Sequence, residues 1–345
     1  MDENSLIKTL SSVYAPSGKE NAIFDLITKE LQDYVDDIFV HEKSNSLICY
    51  KKGLGKCSLM LEAHVDEVFM VVTDILKEGF LKFYSNSIDP KILPGSKVVV
   101  HGKKPITGVI GIKPYHLVKK GEENKPYNFD NLYVDCGLDF DELKNNVSVG
   151  DYITFTSDFE RVGNYFVNKS LDNRLGTYVV IEIFRRLKKI MHDVNIYGVF
   201  ASQEEFTSLG AITSTFSILP DLAIVFDVTF AMQNEVSSDD GFELGSGPAI
   251  YVGVSGNRDI VNELIETAKK FGIPFNREVG ILSHTDADKI ELVRSGIPVA
   301  LISIPVRYMH TPNEMFDLTD VERTVDLVKI FIEHYNKLGD LNGEY

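Results

Sequence analysis

Hydrophobic positions change their spacing three times along the 345-residue chain, and each change marks a change of architecture. Near the N-terminus Ile23, Leu26, Ile27 and Leu31 recur at helical spacing, with Ser17 ahead of them as a candidate cap. Strands are predicted at Ser46–Tyr50 and at Ser58–Leu61, the second running into Glu62-Ala-His64. From Phe69 to Asp158 the texture turns to short β-rich pieces: 69–75, 79–84, 98–101, 108–112, 132–136 and 151–155. Pro94-Gly95, Pro105, Gly111 and Pro114 punctuate them, one short helix is expected near 141–144, and the polar stretch 119–131 reads as a loop. From Ser170 a helix–strand rhythm returns. Leu175, Val179, Ile183 and Leu187 lie four apart on a helix. Strands are predicted at 195–201, 222–228, 248–254 and 297–304, and helices near 211–216, at 258–271 and at 286–294. A last helix opens with the capping-box pattern Thr319-x-x-Glu322 and runs to about Leu338.

This alternation predicts an α/β fold, a mixed sheet with a mostly parallel core and helices on both faces, formed by residues 1–68 and 163–345. Residues 69–162 are expected to form an inserted small β-barrel or sandwich.

Composition narrows the partners. Lys and Arg total 35 against 51 Asp and Glu, a formal charge of −16, which disfavours nucleic acid and anionic membranes. Cys49, Cys57 and Cys136 show no paired spacing, so reduced thiols in a cytoplasmic protein are expected. No apolar run reaches membrane-spanning length, and the acidic start lacks the apolar centre of a secretory signal.

Five short constellations carry candidate chemistry. In Glu62-Ala-His64-Val-Asp66-Glu67, His64 and Asp66 end an apolar strand, as a metal-binding imidazole with an orienting carboxylate or as a buried structural pair. Asp172 precedes the helix carrying Leu175, as an ordinary cap or as a carboxylate with two usable oxygens. Glu204 and Glu205 follow strand 195–201, as a solvated loop or as a metal ligand beside a proton carrier. Asp227 ends strand 222–228, where a buried charge needs a cation, a proton or donors. His310 stands in a proline-bounded loop past strand 297–304. In a parallel sheet all five would face the crevice beyond the strand ends. Two histidines and three carboxylates suit a pair of divalent metals that share a bridging acid.

The whole set resembles the tetrahedral-type or glutamyl aminopeptidase family of dinuclear metallopeptidases, some of whose members are labelled endoglucanases. The residues carrying the likeness are Ala63-His-Val-Asp-Glu67, Leu171-Asp-Asn-Arg-Leu-Gly176, Gln203-Glu-Glu205, Phe226-Asp-Val-Thr229, Gly247-Pro-Ala-Ile250, Thr285-Asp-Ala287 and Pro305-x-Arg-Tyr-x-His-Thr-Pro312. Segments of the insert match too, at Pro105–Gly111 and Ser148–Asp151. The resemblance implies that His64, Asp172 and Asp227 hold one metal, and that Asp172, Glu205 and His310 hold the other, zinc or cobalt. It makes Glu204 the general base and acid, and Asp66 the residue that orients His64. Short peptides would lose N-terminal residues. The insert would form dimers that assemble into a tetrahedral dodecamer.

The chain departs from the family at Ser283-His284, where two glycines are usual. His284 there is either a surface substitution or a donor to the tetrahedral oxyanion. Tyr115-His116-Leu117 and Ser85-Asn-Ser-Ile88 in the insert also differ. Two further functions stay open at this level: a related hydrolase of an N-acyl amide or glucan bond, and a non-catalytic self-assembling scaffold. Chelator-insensitive glucan cleavage would favour the first, and full activity of Glu204→Gln the second.

Overall fold

The computed structural model describes residues 4–118, 128–237 and 239–334. Most of the expected loop 119–131 and the last residues of the helix expected to reach Leu338 lie outside the described residues. By contact the chain divides into two units. One comprises Met1–Glu67, Phe159–Met309 and Glu314–Tyr345; the other comprises Val68–Asp158 and His310–Asn313.

In chain order the elements begin with helices α1 (Asn4–Ser12) and α2 (Asn21–Leu31) and strands β1 (Asp37–His41), β2 (Ser46–Lys51) and β3 (Ser58–His64). Then come β4 (Met70–Ile75), β5 (Phe80–Tyr84), β6 (Lys97–His101), β7 (Pro105–Ile112), β8 (Leu132–Asp135), α3 (Phe140–Asn146) and β9 (Tyr152–Phe155). β10 (Glu160–Val162) and β11 (Tyr165–Asn168) lead to α4 (Leu171–Arg186), β12 (Asn195–Ala201), α5 (Glu204–Thr207), α6 (Leu209–Ile218) and β13 (Leu222–Phe230). The chain continues through β14 (Ala249–Tyr251), α7 (Arg258–Phe271), β15 (Asn276–Glu278), α8 (Ala287–Ile290), β16 (Val299–Val306), β17 (Glu314–Phe316) and α9 (Leu318–His334).

The first unit is built on an eight-stranded mixed sheet in the order β1-β2-β12-β3-β13-β16-β14-β15. Its centre, β12, β3, β13 and β16, is parallel. β3 is buried at nearly every residue, as a central parallel strand covered on both faces must be. Leu59, Leu61 and Ala63 of β3 pack with α1, α2, α4, α7 and α9 on one face. Met60 packs with α6 and α8 on the other, so Glu62 and His64, two and four residues on, share that second face. The connection from β12 through α5 and α6 to β13 crosses over β3. The carboxyl end of β3 therefore lies where the strand order reverses, the position at which open α/β sheets leave a crevice. Strand β10 pairs with β11 and β11 with β17 in a small second sheet, so residues 160–162 group with this unit.

The second unit is a closed antiparallel barrel, β4-β5-β8-β7-β6-β9. Its interior holds Met70, Val72, Leu81, Phe83, Val98, Val100, Ile110, Val134 and Ile153, alternate residues of successive strands.

Three local expectations are corrected. Glu20, not Ser17, stands at the N-cap of α2, and the Ser17 hydroxyl is drawn away to Asp66. Thr319 lies inside α9; Asp317 accepts from its amide and hydroxyl at 2.8 Å and takes the capping role. The helix expected at 286–294 shrinks to the four residues of α8.

Two features tie the first unit together. Glu67 and Lys169, each about 1% exposed, meet at 2.6 Å; the same carboxylate accepts from Ser170 Oγ at 2.8 Å and from the Ala15 amide at 2.7 Å. Burial by itself would raise the Glu67 carboxyl, but the Lys169 and Arg174 cations outweigh it and hold it below its ordinary range. The second feature is Gly247, at φ +105°, where an added Cβ would lie 2.1 Å from the Pro274 carbonyl oxygen. Its amide and that of Gly245 both donate to Asp320 at 2.7 Å.

Lys169→Met should leave a buried, unpaired carboxylate and cost about 3–5 kcal/mol in urea denaturation. The double variant Lys169→Met/Glu67→Gln should recover most of that loss. Gly247→Ala should lower stability by at least about 1 kcal/mol by the same measurement, since the backbone conformation there excludes a side chain.

Candidate metal centre

His64, Asp172, Glu204, Glu205 and Asp227 belong to elements of the first unit, most of them at an element's end. His64 is the last residue of β3 and pairs with Ala201, the last residue of β12. Glu204 and Glu205 follow three and four residues on, as the first turn of α5. Asp227, expected to end its strand, lies inside β13 opposite Ser303 of β16, because pairing with β16 continues to Phe230. Asp172 lies in the first turn of α4 with non-helical backbone angles, followed by a cis peptide bond to Asn173. Asp172 is therefore not the cap of α4; Ser170 occupies that position.

These placements converge on one imidazole. His64, 2% exposed, has Nε2 3.1 Å from Asp172 Oδ1, 3.8 Å from Asp227 Oδ1 and 3.9 Å from Glu204 Oε2. Its Nδ1 lies 3.4 Å from Asp66 Oδ1. His64, Asp172 and Glu205 each offer a ligand atom, and these atoms all lie within 4.8 Å of one another. Asp66, fully buried, also accepts from the amides of Glu204 at 3.0 Å and Glu205 at 3.2 Å. His310 groups with the barrel residues, and its Nδ1 lies 3.0 Å from the carbonyl oxygen of Ser87.

The electrostatics show a site short of positive charge. Burial opposes a charged His64, yet the hydrogen bonds to Asp172 and Asp66 and the charges of Glu204 and Asp227 override it and push its pKa well up. Burial and neighbouring acids raise Glu204 and Asp227 well above the carboxylate range, with His64 the main opposing influence. Acids held so close resist ionising together unless a cation joins them. Imidazole nitrogen and carboxylate oxygen are the donors that suit zinc, cobalt or manganese, so the residues present fit a divalent metal.

Backbone strain occurs beside some of these residues and elsewhere in the chain. Ser170, Gln203, Ser208, His284, Tyr308 and His310 all hold left-handed φ values between 56° and 62° without being glycine. Such residues persist where surroundings over-determine them, often at functional sites.

Two residues had no role assigned from sequence. Glu62 is fully buried on the face of β3 that carries His64, and Asp286, also buried, precedes α8. Burial first, and Asp286 second, push Glu62 well above the usual carboxylate range; burial raises Asp286 to about 6. Glu62 could have been found from its place two residues before His64 on a buried strand, whereas nothing in the local sequence pairs it with Asp286, 224 positions away. The Ser283-His284 segment is folded around Asp288, which accepts from the Ser283 amide and hydroxyl and from the His284 amide at 2.8–3.1 Å. His284 itself is exposed.

Known proteins are similar to this chain in sequence and fold. The family profile described as M42 glutamyl aminopeptidase matches residues 45–327. The lysyl aminopeptidase of Pyrococcus furiosus is 32% identical over 336 residues, covering 95% of this chain and 96% of that protein. The crystal structure of a TET aminopeptidase from a marine-sediment Thaumarchaeota archaeon superposes with a TM-score of 0.93 at 29% identity, covering 99% of both chains. The TET1 peptidase of Pyrococcus horikoshii, which can assemble into a tetrahedron or a large octahedral shell, matches with a TM-score of 0.85 at 27% identity, covering 96% of this chain and all of that one. The chain belongs to the M42 glutamyl aminopeptidase family, a family of peptidases.

Proposed function

We propose that this protein is a dinuclear metallo-aminopeptidase that removes N-terminal residues from short peptides. The observation that carries the reading is the buried His64 imidazole with Asp172, Asp227 and Glu204 within 3.9 Å of its Nε2. In this reading His64, Asp172 and Asp227 hold one metal. Asp172 and Glu205 hold a second, and the family resemblance adds His310 to that set. Zinc or cobalt suits the donors. Bound there, the metals would supply the Lewis acidity that lowers the pKa of water and polarises a peptide carbonyl.

The chain's own residues then divide the work. Glu204 and Glu205 are adjacent in α5. Glu205 belongs to the ligand group, while Glu204, outside it, stays available as the proton carrier. Glu204 takes the proton of the attacking water and returns it to the leaving amine. Asp66 Oδ1 lies 3.4 Å from Nδ1 of His64, on the side of the ring away from Nε2 and the centre. The proposal includes self-assembly through the barrel unit into a tetrahedral dodecamer, supported by a similar structure solved as a dodecamer and by the tetrahedron, one of two shells, that the Pyrococcus horikoshii relative can form.

A panel of aminoacyl amides, each tested with zinc, cobalt or chelator, should show release that chelation abolishes and metal restores. No release from any N-terminal residue by the fully metal-loaded protein overturns the reading. Glu204→Gln should lower kcat by roughly 10²–10⁴-fold while metal content stays at the wild-type level. Analytical ultracentrifugation of the native protein should give the mass of twelve chains.

A further inference from the structure

The aim of the Glu204–Glu205 pair depends on a residue far from it in sequence. α5 is four residues long, Gln203 before it and Ser208 after it are both left-handed, and no side chain at its own N-cap bonds to it. Its first amides have no partner within the helix. Both donate to one carboxylate: Glu204 N to Asp66 Oδ1 at 3.0 Å and Glu205 N to Asp66 Oδ2 at 3.2 Å. Oδ1 also faces His64 Nδ1 at 3.4 Å. The carboxylate plane thus sets the register between the imidazole and the two glutamates.

That plane turns about a single side-chain torsion, and Ser17 holds it. The Ser17 hydroxyl, 49 positions earlier, donates to Asp66 Oδ2 at 2.5 Å, and Ser17 is 6% exposed. Its own backbone is pinned: Pro16 bridges to Glu67, the Glu67 amide donates to the Ala15 carbonyl at 3.1 Å, and the Ala15 amide returns to Glu67 Oε1 at 2.7 Å. A short, charge-assisted bond from a fixed donor is among the strongest available to a buried carboxylate.

We propose that Ser17 is a positioning residue: through Asp66 it fixes the orientation of His64 and of the Glu204–Glu205 backbone, and hence of the metal ligands and the proton carrier. The proposal rests on the aminopeptidase reading for its kinetic consequence, though not for its effect on metal binding.

The test compares wild type, Ser17→Ala and Ser17→Thr. Zinc affinity is measured by competition with a chromophoric chelator, and kcat and KM on the best aminoacyl amide. Ser17→Ala should weaken zinc binding about 10–100-fold and lower the kcat of the zinc-saturated protein about tenfold, with KM within twofold. Ser17→Thr, which keeps the hydroxyl, should restore both. Ser17→Cys, close in size but a weak donor, should behave as Ser17→Ala does and serves if the alanine variant does not fold. Wild-type zinc affinity and kcat in Ser17→Ala overturn the proposal, as does failure of Ser17→Thr to recover either. If wild type cleaves no peptide, the aminopeptidase reading fails, and the zinc affinities still decide the role of Ser17.

Discussion

Crowding of carboxylates around one buried imidazole is the constraint to which the rest of the first unit answers. Asp66, Asp172, Glu204 and Asp227 all lie within 3.9 Å of the His64 ring nitrogens. A single imidazolium does not neutralise that many acids, so they resist ionising together, and a divalent cation would relieve that opposition. The arrangement persists because most groups that carry it are anchored to strands or helix starts. His64 and Asp227 belong to central strands, and Asp172 and the glutamate pair to helix first turns.

Anchoring of this kind costs conformational freedom, and the structure shows where. Left-handed residues sit beside the site positions, at Ser170 before Asp172 and at Gln203 before Glu204. Each bend lets the chain leave a strand or enter a helix while keeping a short side chain aimed at the centre. Buried polar networks beneath them supply the restraint: Glu67 with Lys169, Ser170 and Ala15, and Asp66 with Ser17 and the α5 amides. Such networks stabilise only when every member is satisfied. The turn at Ser283-His284 is held in the same manner, with Asp288 accepting from both backbone amides.

Much of this was legible in the chain. Periodicity placed α7 at 258–271 and the barrel strands to within a few residues. It also separated the β-rich insert from the α/β remainder, because alternation by two and recurrence by four are local properties of backbone geometry. The candidate ligands stood out because polar residues abruptly ended apolar runs: His64 after Leu61, Asp227 after Phe226, and the glutamates after Ala201. Short elements read poorly. β10, β15 and β17 are three residues long, too short to show a period, and β10 and β15 are exposed or half-buried throughout.

What sequence by itself determined was therefore the kind of elements, their order and the chemistry present at their ends, since those depend on near neighbours along the chain. Tertiary structure alone decided which ends meet. It took Ser17 from a presumed helix cap to Asp66, moved the capping of α9 from Thr319 to Asp317, and brought Glu62 into the same buried acid cluster as Asp286. A hydroxyl or carboxylate bonds to whichever donor or acceptor folding brings within about 3 Å, and that distance is set by sheet order and helix packing rather than by the residues beside it in sequence.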